Sequence, residues 1–327
     1  MSVTSAEVAR RAGVSRATVS YVLNDAPGHT VSAKTRETVL KIAAELGYRP
    51  NVLARSLKRG RTENVVFPLP GLQMIHPFSL MLDACAKSLE PLGLNLVRDF
   101  TRHDEPQQQF DAWARLAPTA VIDLLLRHDD PVLALLHAGG IPVLSASIKE
   151  NVAWESTNDV FARQQRILQM EYLLSEGHKQ ITSVIPRSLP VHPRIERELF
   201  SLLRRNARDH DAELTIVRAE PHEVAAIVAS WKLESVDAVA AHNDDYALAV
   251  LTALLRRGAK VPDDVAVMGI DDIPLGRIVS PALTTLTPDF DAFAESVAEV
   301  VKGIVAGSKE VGTLELPGSS LIKRESA

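Results

Sequence analysis

The chain has 327 residues, of which 46% are hydrophobic and 24% charged, with a single cysteine and a net charge of −5. That length allows two or three domains with sizeable cores; the lone Cys85 excludes a disulfide framework and a structural zinc site, and no apolar run approaches the roughly 18 residues of a membrane span. The charge is uneven: residues 1–61 hold eleven Lys and Arg against four acids (+7), the remainder 25 against 37 (−12), so a basic head that suits a polyanion precedes an acidic body.

The first residues lack the basic-then-apolar pattern and cleavage site of a secretory leader, which predicts a cytoplasmic protein. Thr4 and Glu7 have the T-x-x-E spacing of a capping box, with Val3 and Val8 at the staple positions. A helix is predicted from there to Ala12, with Gly13 as its left-handed exit. Ser15 is placed to cap a second helix. Its Val19, Val22 and Leu23 form a buried stripe and leave Arg16, Ala17, Ser20, Tyr21 and Asn24 on the other side. After a loop with Pro27 and Gly28, Ser32 caps a third helix whose stripe is Val39, Ile42, Ala43 and Leu46, ending at Gly47 before Pro50.

Two helices across a tight turn, a third beneath them and strong positive charge describe a helix-turn-helix, whose second helix lies in the DNA major groove. Arg16 can then pair with guanine, and Ala17 lets the helix approach or meets a thymine methyl. Ser15, Thr18, Ser20 and Asn24 would mostly hold phosphates, Tyr21 could do either, and Thr4 joins this DNA-side set. A small helical bundle that binds protein is the competing reading.

In "RPNVLARSLKRGRT" (49–62), Asn51 can cap a two-turn helix that stops at Gly60 and is too short to be stable alone. Leu57 among Arg55, Lys58, Arg59 and Arg61 is the mix found where an apolar wedge enters a minor groove between cations. The plain alternative is a basic tether.

The stretches "EVARRAGVSRATVSYVLN", "VSAKTRETVLKIAAELGYRPN" and "LARSLKRGRT", covering most of residues 6–62, resemble the lactose-repressor (LacI/GalR) family of bacterial transcription regulators. The resemblance implies a homodimer on a near-palindromic operator in double-stranded DNA, with paired hinge helices inserting a leucine. By position it implies Arg16, Ala17 and Tyr21 as base readers. Ser15, Thr18, Asn24 and His29 would be backbone or nearby contacts, with Ala54 and Leu57 at the hinge.

From about residue 63 short apolar runs ("NVVFPLP", "LNLV", "AVIDLLL", "IPVLSA", "ITSVI", "DAVAAH", "VAVMGI") alternate with helical stretches at 79–92, 130–138, 162–176, 246–257 and 289–305. That alternation predicts parallel sheets covered on both faces. The span is large for one sheet, so two α/β subdomains are expected, with ligand outside the carboxyl ends of the strands, in the cleft.

The family resemblance continues more thinly through "LLSEGHKQI", "HNDDYALAVLTALLRRGAKVPDDVAVMGIDDIPLGRIVSPALTTL" and "LIKRES". It implies a periplasmic-binding-protein-like sensor closed by a small effector, a sugar or another small metabolite. The domains read as a head (1–48), a hinge helix and linker (49–62), and an effector-binding and dimerisation body (63–327). One subdomain spans about 63–157 plus 288–316, the other about 158–287 plus 317–327.

The same resemblance offers Asp244 as the effector carboxylate, although Asp244 would serve equally well as a helix N-cap. It offers Arg194, or else Arg197, as the effector arginine, with Asn243 beside Asp244 and Phe78 as a wall or simply core. Asp271 and Asp272 read as fixing a turn and the interdomain crossing. "STNDVFARQQ" carries Asn158 and Asp159 without the family's following glycine, and Pro221 and His222 stand where sugar sensors often place an aromatic. Trp154 and Trp231 could replace it or pack.

Two rival classes remain: a regulator head on a catalytic, sugar-kinase-like body, and a transport-type binding protein. The first needs a phosphate loop, yet the chain has no G-x-x-x-x-G-K-[ST], G-x-G-x-x-G or G-x-S-x-G, and its histidines lack metal-ligand spacing. The second is opposed by the basic head and the missing leader. The expectation is a regulator that is not an enzyme and uses no cofactor or metal.

Overall fold

The computed structural model describes residues 3–24, 31–48, 56, 60–69, 76–101, 103–124, 126, 130–145, 157–187, 193–308 and 312–327. His29, Asn51, Ala54, Arg55, Leu57 and Trp154 lie outside the described residues, as do the side chains of Asn24 and Asn158. The chain divides into two compact units, Met1–Thr62 and Glu63–Ala327.

The first unit is helical: α1 (Ser5–Ala12), α2 (Arg16–Asn24) and α3 (Ala33–Glu45). Thr4 Oγ1 accepts from the Glu7 N–H at 3.4 Å, but the Glu7 carboxylate turns to Arg10 (3.2 and 2.5 Å), so only half of the expected capping box forms. Gly13, at φ 63°, ends α1 and turns the chain within three residues into α2, a conformation that costs glycine nothing. Val8, Ala9, Val19, Val22, Val39 and Ala43 are buried together, one apolar stripe from each helix, with Val3, Leu23, Ile42 and Leu46 around them.

The second unit holds two parallel sheets of the same design. In the first, β1 (Asn64–Pro68), β2 (Asn95–Asp99), β3 (Ala120–Ile122) and β4 (Val143–Leu144) lie in the order β2-β1-β3-β4. Alternate residues of β1 face opposite layers, as a pleated strand requires. Val65 and Phe67 pack on α4 (His76–Leu89) and on the late helix Phe290–Ala306, while Val66 joins Trp113 and Leu136 from α5 (Pro106–Ala114) and α6 (Pro131–Ala138). Cys85 lies in the first layer, where burial pushes its thiol up to about 12.

The second sheet, in the order β6-β5-β7-β8, comprises β5 (Gln180–Ile185), β6 (Glu213–Arg218), β7 (Ala238–Ala241) and β8 (Ala266–Met268). It is covered on one side by α7 (Thr157–Ser175) and α8 (Pro193–Asp209), and on the other by α9 (Val224–Ser230) and α10 (Asp244–Arg256). The short α11 (Pro274–Ile278) follows β8. The chain then runs through β9 (Thr285–Pro288), the helix α12 (Phe290–Ala306) that completes the first core, and β10 (Ser319–Ile322), antiparallel to β9.

All seven apolar runs picked from the sequence carry strands. The edge strand β6 was missing from that set because its residues alternate between exposed and buried positions. Helices α5, α8, α9 and α11 were also missing from the set.

Candidate nucleic-acid interface and ligand site

In the head, Ser15 Oγ accepts from the Thr18 N–H at 3.0 Å and lies 2.9 Å from the Thr18 hydroxyl, so Ser15 caps α2 and the two hydroxyls are tied to each other. Val19 and Val22 turn into the core, which fixes the rotation of the helix. Ser15, Arg16 and Ala17 are exposed at its start, with Thr18, Ser20 and Tyr21 half-buried beside them. Arg16 has no ion pair among the described residues. An arginine without an ion pair beside an alanine at an exposed helix start suits a base edge, because no described residue of the head competes for its fork of donors.

In the body, strand order reverses direction between β5 and β7, the switch point at which sheets of this kind hold ligands outside the carboxyl ends of their strands. His242 and Asn243 follow β7 there. Asn243, not Asp244, is the cap of α10: its Oδ1 accepts from the Tyr246 N–H at 3.1 Å. Asp244 is the first helical residue and is completely buried. Its Oδ2 accepts from the Ile273 N–H at 2.9 Å and its Oδ1 from the Thr285 hydroxyl at 2.6 Å, which moves Asp244 from ligand contact to the frame of the site. Burial raises its carboxyl to about 7, opposed in part by those two bonds.

Asp271 and Asp272 hold positive φ angles of 116° and 48°, strained for non-glycine residues. Asp272 bonds Arg277 at 2.6 Å and also pairs with Arg324, tying the end of β8 to α11 and to the chain after β10. Asp271 differs: its carboxyl has no hydrogen-bond partner among the described residues, and burial followed by repulsion from Asp244 pushes it up to about 8.

The side chains that α7 sends inward carry no signal of their role in the sequence. Arg166 donates to the carbonyls of Ala241 (3.3 Å) and His242 (2.8 Å) and to His242 Nδ1. Gln169 Nε2 donates to the carbonyls of Ala241 (3.0 Å) and Met268 (3.1 Å). These carbonyls end β7 and β8, where the ladder no longer satisfies them, so α7 closes the strands' open ends. Burial lowers Arg166 to about 10; burial and then Arg166 lower His242 to about 2.

The other expected contacts are dispersed. Phe78 packs against the first core. Arg194 is exposed and paired with Glu198 at 2.8 Å. Arg197 lines a surface cavity of about 810 Å³ with Arg204, Arg208 and Arg218, and neither Asn243 nor Asp271 lines it. Trp231 packs against the core between α9 and α10. Among the described residues no cluster of three or more His, Cys, Asp or Glu could hold a metal, and no helix is long and apolar enough to cross a membrane.

The description "Bacterial regulatory proteins, lacI family" matches residues 4–51, and "Periplasmic binding protein-like domain" matches residues 170–327. The chain is 30% identical to the HTH-type transcriptional regulator GntR of Pseudomonas aeruginosa, over 98% of this chain and 94% of that protein. Its fold matches the transcriptional regulator CelR in complex with cellobiose (TM-score 0.63, 26% identity, 99% of this chain and 100% of that one). It also matches the Lac repressor dimer bound to operator and the anti-inducer ONPF (TM-score 0.75, 24% identity, 100% and 99%). A full-length relative at that identity, with both ends of the chain matched in kind, places this protein in the lacI family of bacterial regulatory proteins, as a DNA-binding helix-turn-helix transcriptional regulator.

Proposed function

We propose that the chain is a cytoplasmic repressor acting as a homodimer on a near-palindromic operator, its grip set by a small-molecule effector at the carboxyl ends of β5 and β7. It works by binding alone, without catalysis. The observation that carries this reading is the exposed Ser15-Arg16-Ala17 start of α2, over a helix whose opposite face is spent on the core. Asn24, His29 and Thr4 serve as nearby contacts, and Asn51, Ala54, Arg55 and Leu57 form the hinge that enters the minor groove. The relatives support the rest: a Lac repressor dimer on operator, and CelR with cellobiose.

For the effector, Asn243 and Asp271, whose carboxyl has no hydrogen-bond partner among the described residues, are polar groups at the switch point, and Asp244 holds the start of α10 to the Ile273 N–H and the Thr285 hydroxyl. An effector moves the regulator between DNA-holding and DNA-releasing states only through different affinities for the two, typically about 1–3 kcal/mol of coupling. For the dimer, exposed Leu255 on α10 and Leu275 on α11 line a cavity of about 500 Å³ with Leu248, Leu251 and Val279, and exposed Ile278 precedes Val279 in the chain, an apolar face that a second copy would cover.

The test is a selection of the full chain against random duplex DNA, followed by operator release with a panel of sugars and other small metabolites. Enrichment of a two-fold-symmetric site is expected. Enrichment of no sequence at low salt overturns the reading.

A further inference from the structure

The wiring of His242 carries a conclusion about what the effector must offer. The imidazole stands at the end of β7, beside the cap residue Asn243 and next to the switch point. Arg166 reaches it from α7 and donates to its Nδ1. A guanidinium has only donors, so Nδ1 must be the unprotonated, accepting nitrogen, and the ring proton is left on Nε2. The Tyr246 ring meets the imidazole edge-on, centroids 5.6 Å apart at 81°, which fixes the plane of the ring. Nε2 makes no hydrogen bond among the described residues.

The arrangement is anchored behind the ring as well. Arg166 is 8% exposed and is held by two backbone carbonyls besides the imidazole. Gln165, next to it on α7, is 6% exposed, and its Nε2 is a buried donor without a partner among the described residues. The charged and titratable groups around the ring are Arg166 from α7 and Tyr246 from α10, with Asp271 at the end of β8 acting on Arg166. All of them oppose a second proton on His242 or leave it unaffected.

We propose that His242 is a specificity-determining contact of the effector site, locked by Arg166 as a neutral imidazole whose Nε2–H donates to an acceptor oxygen of the effector. The inference rests on the effector site proposed above. It names the ligand's chemistry: a hydroxyl, carbonyl or carboxylate oxygen at His242, and a hydroxyl or amine that donates to Asp271. A cationic group at the His242 position is refused, because it would meet an N–H backed by a guanidinium.

The experiment is nitrogen-15 NMR of the uniformly labelled full chain, which reports the histidine ring nitrogens and the backbone amides together. In the unliganded protein, His242 should show a protonated Nε2 and an unprotonated Nδ1 unchanged between about pH 5 and 8, where an ordinary histidine titrates. The opposite tautomer, or a titration in that window, overturns the lock without touching the effector site. Arg166→Met should return His242 to ordinary titration, and Arg166→Lys, which keeps a donor and a charge, should preserve the lock if the larger change fails to fold. The contact is read by adding D-glucose, cellobiose or sodium acetate at tens of millimolar. A shift of Nε2 together with the Asn243 and Asp271 amides is expected. Movement of those amides with Nε2 unmoved overturns the His242 contact alone, and no movement of any of them overturns the site.

Discussion

Asp244 and Gly269 share one space: a β-carbon on Gly269 would overlap Asp244 Oδ1 and approach its α-carbon to 3.2 Å. The glycine is required by the carboxyl that closes the start of α10 onto the end of β8. Gly269→Ala is expected to destabilise the body by about 1–3 kcal/mol, the usual range for overpacking a rigid core. In an Asp244→Ala background the same substitution should cost less, because the atoms it strikes are gone. Equal costs in the two backgrounds, by denaturant unfolding, would place the strain elsewhere.

Asp244 also predicts how stability depends on pH. Its carboxyl is raised to about 7 in the folded chain, against about 3.9 when unfolded, so the folded state holds the proton more tightly. The resulting stabilisation is complete below about pH 4 and is lost as pH rises through about 7. Melting temperature should therefore fall from pH 5 to pH 8, and Asp244→Asn should flatten that decline. A variant with the wild-type slope would assign the proton to another group.

In the head, Arg16→Ala should weaken binding to the selected operator by about 1–3 kcal/mol and relax the preference at one base pair in each half-site. The core beneath should be unaffected, since Arg16 contributes nothing to it, so the melting temperature of the free protein should hold. Anisotropy titrations on the operator and on single-base variants check this. Uniform weakening across sequences would make Arg16 a phosphate contact.

Ile278 is 79% exposed on α11 next to Leu275. Ile278→Glu should shift the chain toward monomer in sedimentation velocity and, with it, reduce operator affinity. Unchanged self-association would move the dimer surface off this face.

Much of this was legible before any coordinates. The three caps and stripes of the head follow from local rules, and the seven apolar runs marked seven of the ten strands among the described residues. The site was harder to read. Asn243 and Asp244 are equally good caps by type, and only packing decides that the first caps while the second is buried. Arg166, Gln165 and Gln169 went unassigned, because a polar side chain facing inward betrays nothing in sequence. The carbonyls that Arg166 and Gln169 bond, at the ends of β7 and β8, lie more than seventy positions away. Asp271 was assigned to a turn, which its positive φ supports, but that its carboxyl has no hydrogen bond among the described residues appears only in three dimensions.

The interleaving of the two halves bears on how the chain is made. The first core is completed by Phe293, Val297 and Val301 of α12, which leave the ribosome only after the whole second sheet. The second sheet in turn waits for Ser326, whose carbonyl accepts from Val267 in β8. During synthesis the first half therefore carries a bare apolar face while the whole second sheet is made, a window in which chaperone capture or aggregation competes with closure. Excising the first half as a continuous piece of gene would leave that face open for good.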